Sequence, residues 1–214
     1  MRRLHLLLGM GALVAAIFAV PASAARTTTT CNGTLASGSY HRVVVPVDGT
    51  CFSDGPVTIR GGLIVQAGAT LVLGSEENPV HTATINGGVH ATDAMSVQIH
   101  FSTVNGGISI SGGSGPFGGP FGVTWNTIED STINGGYAEV GYNGFWNGFI
   151  RNSVHGSVRL VGNTVADPDG NEVVTNAIHG SLSCAANDPA PQVGDSEGSS
   201  NHVTGAETGQ CAGL

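Results

Sequence analysis

Thr84-Ile85-Asn86-Gly87-Gly88-Val89 decides the fold, because the chain keeps returning to it. It recurs as Thr103-Val104-Asn105-Gly106-Gly107-Ile108 and as Thr132-Ile133-Asn134-Gly135-Gly136-Tyr137. Looser copies read Thr58-Ile59-Arg60-Gly61-Gly62-Leu63, Ser153-Val154-His155-Gly156-Ser157-Val158 and Ala177-Ile178-His179-Gly180-Ser181-Leu182, and Val203-Thr204-Gly205-Ala206 is a truncated last one. The aliphatic residue of the phrase falls at 59, 85, 104, 133, 154, 178 and 203, so the spacings are 26, 19, 29, 21, 24 and 25 residues. Recurrence at a period between about 20 and 50 residues marks a stacked repeat architecture.

Each phrase reads as strand, corner, strand. Glycine accepts φ > 0, and asparagine tolerates the left-handed region better than most residues. The flanks alternate with period two, which sets Val89 with Ala91, Ile108 with Ile110, Val158 with Leu160 and Leu182 with Cys184 on one side. One such corner per roughly 25 residues suits one coil of a parallel β-helix. Coils then pair above and below, and like residues stack, asparagine over asparagine. The competing reading is a set of hairpins, since Asn-Gly favours them. Hairpin proteins place turns every 8–12 residues or so, and the Arg-Gly, His-Gly and Thr-Gly copies fit a type I′ turn poorly.

The start of the chain reads as a secretory leader. Arg2 and Arg3 precede an apolar run from Leu4 to Val20, and Ala22-Ser23-Ala24 is a small-residue cleavage site. Cleavage before Ala25 leaves 190 of the 214 residues, with no later apolar run long enough to span a membrane. The expected product is secreted, extracellular or held at the cell surface, without membrane insertion. That mature part lacks lysine, and five arginines face fifteen acidic residues, a net charge of −10. Such a balance argues against nucleic acid and anionic membrane partners.

Secretion makes disulfides the default for Cys31, Cys51, Cys184 and Cys211. Three pairings are open. A terminal coil has one neighbour instead of two, and a staple there has most effect; a loop of 20 to 27 residues closed by a disulfide gains roughly 3 kcal/mol. That reasoning favours Cys31–Cys51 and Cys184–Cys211. Closely spaced cysteine pairs that would hold zinc are absent.

The expected organisation is a leader (1–24), an N-terminal cap (25–57), about six coils (58–184) and a C-terminal cap (185–214). Glu76, Glu77, Asn78 and Pro79 read as an outward loop. Gly112 to Gly122, rich in Gly and Pro, reads as a loop leaving its coil and opens an aromatic insertion over 112–149.

Eight of the eleven mature aromatic residues fall between 117 and 149. They are Phe117, Phe121, Trp125, Tyr137, Tyr142, Phe145, Trp146 and Phe149. Rings interspersed with Asn and Gly suit the apolar faces and hydroxyl edges of sugars. Trp125, Tyr137, Tyr142, Phe145, Trp146 and Phe149 are the candidate contact residues for a glycan or protein partner; packing of these rings under the 112–122 loop as a satellite core is the plainer reading.

Glu139 breaks its repeat, because the matching positions hold Val65, Ala91, Ile110, Leu160 and Cys184. A carboxylate pointing into the core is costly and has a raised pKa. A one-residue register shift, with Ala138 and Val140 inside and Glu139 outside, avoids that cost. Glu129, Asp130 and Glu139 are the acids near the rings that could supply the carboxylate pair of a glycosidase. Adjacent strand residues face opposite ways, so Glu129 and Asp130 cannot serve one site. His155 and His179 occupy one repeat position and should stack about 4.8 Å apart, as a solvated corner ladder; no metal or other cofactor is expected. Asp167-Pro168-Asp169-Gly170-Asn171-Glu172 lacks the full spacing of a calcium loop and reads as a turn. Ser/His/Asp triad and phosphate-loop signatures are missing.

Several features together resemble a group of small secreted actinobacterial proteins of unassigned function. These are Cys31-Asn32-Gly33-Thr34, the strand Val43-Val44-Val45-Pro46, Gly49-Thr50-Cys51, the repeated corners, and Gly209-Gln210-Cys211 near the end. The resemblance spans nearly all of the mature chain and implies a single-stranded right-handed parallel β-helix; the aromatic insertion departs from the group's plain coils. The expected function is a non-enzymatic extracellular structural or binding role. The alternative is a polysaccharide-active β-helix enzyme, glycosidase or lyase, using Glu129 or Asp130 with Glu139. An ice- or mineral-binding face would need an outward threonine ladder, which the sequence displays only at Thr82-Ala83-Thr84.

Overall fold

A computed structural model describes residues 27–75, 78, 80–115, 124–194 and 198–214. The expected leader, Glu76, Glu77 and Pro79 of the outward loop, and Phe117, Phe121 and Val123 lie outside the described residues. Among the described residues there are 24 strands and no helix, so no helix is long and apolar enough to cross a membrane.

Every strand pairing is parallel. The hairpin reading therefore fails among the described residues. A first sheet stacks nine strands in chain order: Thr28–Thr30, Arg42–Val45, Leu63–Val65, Val89–Thr92, Ile108–Ser111, Tyr137–Val140, Val158–Val161, Leu182–Ala185 and Glu207–Gly209. A second sheet spreads in two arms from the long strand Thr50–Ile59, which also pairs with Gly33–Tyr40. One arm holds Thr70–Leu73, Ser96–His100, Trp125–Glu129, Trp146–Ile150 and Asn171–Val174. The other holds Ala83–Ile85, Thr103–Val104, Thr132–Ile133, Ser153–Val154, Ala177–Ile178 and His202–Val203. From Leu63 to Ile178 the chain visits the first sheet, the Thr70 arm and the Ala83 arm in that order, then returns one rung further on. The segment expected as an N-terminal cap contributes Thr28–Thr30 and Arg42–Val45 to the first sheet.

The repeated phrase is one file of this stack. Ile59, Ile85, Val104, Ile133, Val154, Ile178 and Val203 pair in register, rung on rung. All but the last are fully buried. Two more core files run along the first sheet: Val43, Leu63, Val89, Ile108, Tyr137, Val158 and Leu182, and Val45, Val65, Ala91, Ile110, Glu139, Leu160 and Cys184. Both expected disulfides form, Cys31–Cys51 and Cys184–Cys211, one near each end.

The corner works differently from the expectation. Asn86, Asn105, Asn134, Gly87, Gly106 and Gly135 are not among the residues with positive φ. The first glycine of each phrase is required by its neighbour instead. A Cβ on Gly87 would lie 2.5 Å from the Gly61 carbonyl oxygen, on Gly106 2.7 Å from the Gly87 backbone, and on Gly156 2.5 Å from the Gly135 carbonyl oxygen. The second glycine is less crowded, with contacts of 2.9–3.0 Å for Gly88, Gly107 and Gly136. Serine takes its place at 157 and 181. Left-handed backbone appears at the other corners, in Asp93, Phe101, Asp130, Arg151, Thr175 and Ala186, with φ between 47° and 58°.

Amide ladders tie the rungs together. The exposed ladder has Asn134 Nδ2 donating to Asn105 Oδ1 and Asn105 Nδ2 donating to Asn86 Oδ1, each at 2.7 Å. A second, buried at Asn152 and Asn176, has the backbone N–H of Asn152 donating to Asn176 Oδ1 at 2.8 Å and that of Asn176 to Asn201 Oδ1 at 3.0 Å. Ser102 and Ser131 hold the same place in earlier rungs. A third runs through Tyr142, Asn163, Asn187 and Gln210. The outward threonine ladder runs across rungs rather than along a strand: Thr58, Thr84, Thr103 and Thr132 pair in register.

Candidate contact surface

The six rings singled out from the sequence divide into two sets. Tyr137, Tyr142 and Phe149 are buried, whereas Trp125, Phe145 and Trp146 are half-buried. Strand alternation explains the split for the strand pair Trp125–Glu129 and Trp146–Ile150. Ile128 and Phe149 face the core, so Asn126 and Asn147 face it too, while Trp125 and Trp146 face away. Tyr137 enters the core from the first sheet and stacks on Phe149, with ring centroids 4.4 Å apart and planes 15° apart.

Glu139 corrects the expected register shift. It pairs with Ile110 and Leu160, keeps the register of the first sheet, and is 0 % exposed. Ala138 and Val140 are the half-buried residues that face away. The register holds because donors meet the carboxylate inside. Asn126 Nδ2 donates to Oε1 at 2.6 Å; Asn147 Nδ2 and the Tyr137 hydroxyl donate to Oε2 at 2.7 and 3.0 Å. Burial raises the Glu139 pKa, and the hydrogen bonds from Asn126, Asn147 and Tyr137 offset part of that rise. Burial pushes the Tyr137 hydroxyl well above its ordinary value, and the neighbouring Glu139 charge adds to the effect. Tyr142 is likewise raised, chiefly by burial.

Glu129 and Asp130 form a second cluster on the opposite side of the strand layer. Thr127 and Glu129 alternate with Ile128, so they face away from the core. Glu129 is nonetheless buried. The Thr127 hydroxyl donates to its Oε1 at 2.8 Å, His100 Nδ1 lies 3.1 Å from the same oxygen, and Arg151 Nη2 donates to Oε2 at 3.1 Å. Arg151 also grips Asp130, Nε to Oδ1 at 2.8 Å and Nη2 to Oδ2 at 2.6 Å. The expectation that adjacent acids cannot share a site is therefore corrected. The strand ends at Glu129, and Asp130 at φ 49° turns its carboxylate back to the same guanidinium. Glu129 and Glu139 are not brought together. Glu129 faces outward from its sheet in an ion-pair cluster, and Glu139 is sealed in the core.

The outward surface around Trp125 and Trp146 is the most ligand-like of these places. The two indoles sit on directly paired rungs. Trp146 covers Gly148, where a Cβ would collide with its ring, and its Nε1–H donates to Glu172 Oε1 at 3.2 Å. Ser96 and Gln98 line the neighbouring rung; Gln98 Nε2 donates to Ser96 Oγ at 3.1 Å, and Ser96 Oγ donates to the Trp125 carbonyl at 2.5 Å. Ser96, Gln98 and Glu172 are themselves buried and bonded within the protein, so the two half-buried indoles are what this face offers to the apolar face of a ring.

Other parts of the surface were not singled out from the sequence. A shallow groove of about 480 Å³ crosses the first sheet between His90 and Arg159, floored by Gly107, Gly136, Ser109 and Ala138. Asn126, Asn147 and Asn171 share an offset two residues before core residues Ile128, Phe149 and Val173. That recurrence is a readable sign of an interior polar file. Asp167–Gly170 is a turn, as expected, closed by the Gly170 N–H donating to the Asp167 carbonyl at 3.0 Å. Asn171 and Glu172 belong to the strand that follows. His155 and His179 lie on successive rungs with ring centroids 5.0 Å apart and planes inclined by 42°. Among the described residues no group of three or more His, Cys, Asp or Glu is placed to hold a metal ion.

Comparison with known proteins gives no match to a protein-family model, a curated protein or a solved structure.

Proposed function

We propose that the chain is a secreted right-handed parallel β-helix that acts without catalysis, as an extracellular or cell-surface scaffold whose Trp125–Trp146 face contacts a glycan. The in-register parallel strands support the winding, and right-handed crossovers are the rule for parallel strands. The two disulfides are compatible with an oxidising, extracellular setting. The observation that carries the glycan reading is the pair of half-buried indoles on adjacent rungs, beside Gln98 and Glu172. Glu139, fully buried under three donors, supports a structural role for that carboxylate.

Binding of the purified chain to a panel of soluble and insoluble polysaccharides tests this reading. We expect saturable binding without release of reducing sugar. Trp125→Ala and Trp146→Ala should each weaken it by about 1 kcal/mol or more. Binding that ignores both substitutions removes the contact surface, and turnover lost in Glu129→Gln revives the enzyme.

A further inference from the structure

One file of side chains at the corner of the Ala83 arm has a chemistry that the scaffold role does not use. It runs Asn86, Asn105, Asn134, His155, His179, Thr204. Its backbone is held rung to rung: the N–H of His155 donates to the Ile133 carbonyl, and that of His179 to the Val154 carbonyl, both at 2.8 Å. Both imidazoles are exposed. Their centroids are 5.0 Å apart and their planes are inclined by 42°, so the rings open toward one side instead of lying flat on each other.

The amide ladder above them has one polarity. Asn134 Nδ2 is spent on Asn105 Oδ1. The Asn134 oxygen is therefore left on the opposite side of its amide, toward the rung that carries His155. Two imidazoles and an amide oxygen thus occupy three successive rungs, on backbone that the flanking strands hold in place.

We propose that His155 and His179, with the Asn134 side-chain oxygen beside them, form a surface site for a divalent transition metal. Neutral imidazole is a good ligand for copper, nickel and zinc, and Cu²⁺ heads the usual affinity order. Rotation about the exposed side-chain bonds brings one nitrogen from each ring to a common ion, and water completes the coordination. Because the ligands come from adjacent rungs, a bound ion also clips those rungs together.

The test titrates the full purified chain with Cu²⁺ by calorimetry and electron paramagnetic resonance, and separately with Zn²⁺ by calorimetry. One Cu²⁺ per chain in the micromolar range is expected, with two equatorial nitrogens in the spectrum. His155→Ala and His179→Ala should each weaken binding roughly tenfold or more, while His90→Ala, on another face, leaves it unchanged. Asn134→Asp should tighten it, since a carboxylate replaces the amide oxygen. Saturating Cu²⁺ should raise the Tm of the wild type but not of the histidine variants. All of these substitutions are on exposed side chains, and circular dichroism checks the fold. Unchanged affinity in the His155→Ala/His179→Ala double variant, or no saturable binding by the wild type, overturns the site.

Discussion

Gly106 shows how a single residue type is dictated by a neighbour one rung away in the stack. A methyl group there would sit 2.7 Å from the backbone of Gly87. Gly106→Ala should lower stability by about 2 kcal/mol or more. Gly107→Ser, which copies the native Ser157 and Ser181, should cost less than about 1 kcal/mol; equal losses in chemical denaturation would refute the steric account. Glu139 is the second such residue. Glu139→Ala leaves the Asn126 and Asn147 amides and the Tyr137 hydroxyl without their acceptor, an expected loss of roughly 3 kcal/mol or more. Its raised pKa means the folded chain holds the proton more tightly than the unfolded chain does. That stabilising contribution is complete below the unfolded value of about 4.3 and is lost as pH rises through the raised folded value. Unfolding free energy followed from pH 3 upward should carry this decline in the wild type, and Glu139→Gln should flatten it. The place of Glu139 was not legible in the sequence, because its partners come from strands 13 and 8 residues away in opposite directions. A propensity argument sees the cost of a buried carboxylate and not the donors that offset it.

At the scale of the strand, legibility follows from repetition. The file Ile59 to Val203 could be read off directly, since parallel stacking puts the same residue of each phrase at the same place. The exposed asparagine ladder followed from the same logic. The ladder Asn152, Asn176, Asn201 was equally periodic, two residues ahead of Val154, Ile178 and Val203, yet its two buried members, Asn152 and Asn176, each follow a left-handed residue, Arg151 or Thr175. No simple rule places a left-handed arginine. The two ladders should differ in energy. Asn176→Ala strips an acceptor from the Asn152 N–H and a donor from the Phe149 carbonyl, both buried, and should cost about 2 kcal/mol. Asn86→Ala, at the exposed end, should cost less than about 1 kcal/mol. Thermal unfolding of the two variants side by side decides this, and a larger loss at Asn86 would contradict it.

For the whole molecule, stability is a sum over rungs and their contacts, so the ends are the weak points. The disulfides lie there, closing separations of 20 and 27 residues. Replacing Cys184 and Cys211 together by serine should lower stability by about 3 kcal/mol. Hydrogen exchange should then quicken first in Leu182–Ala185 and Glu207–Gly209; uniform quickening would argue against loss of an end staple.

The crowded glycine corner has an implication for how such a chain tolerates added length. The shortest interval between phrases is 19 residues and the longest 29, and the surplus of the longest falls between Ser111 and Trp125, away from that corner. The glycine file is a spine that admits no graft, while the opposite bends are where a foreign peptide could be displayed without unseating the rungs on either side.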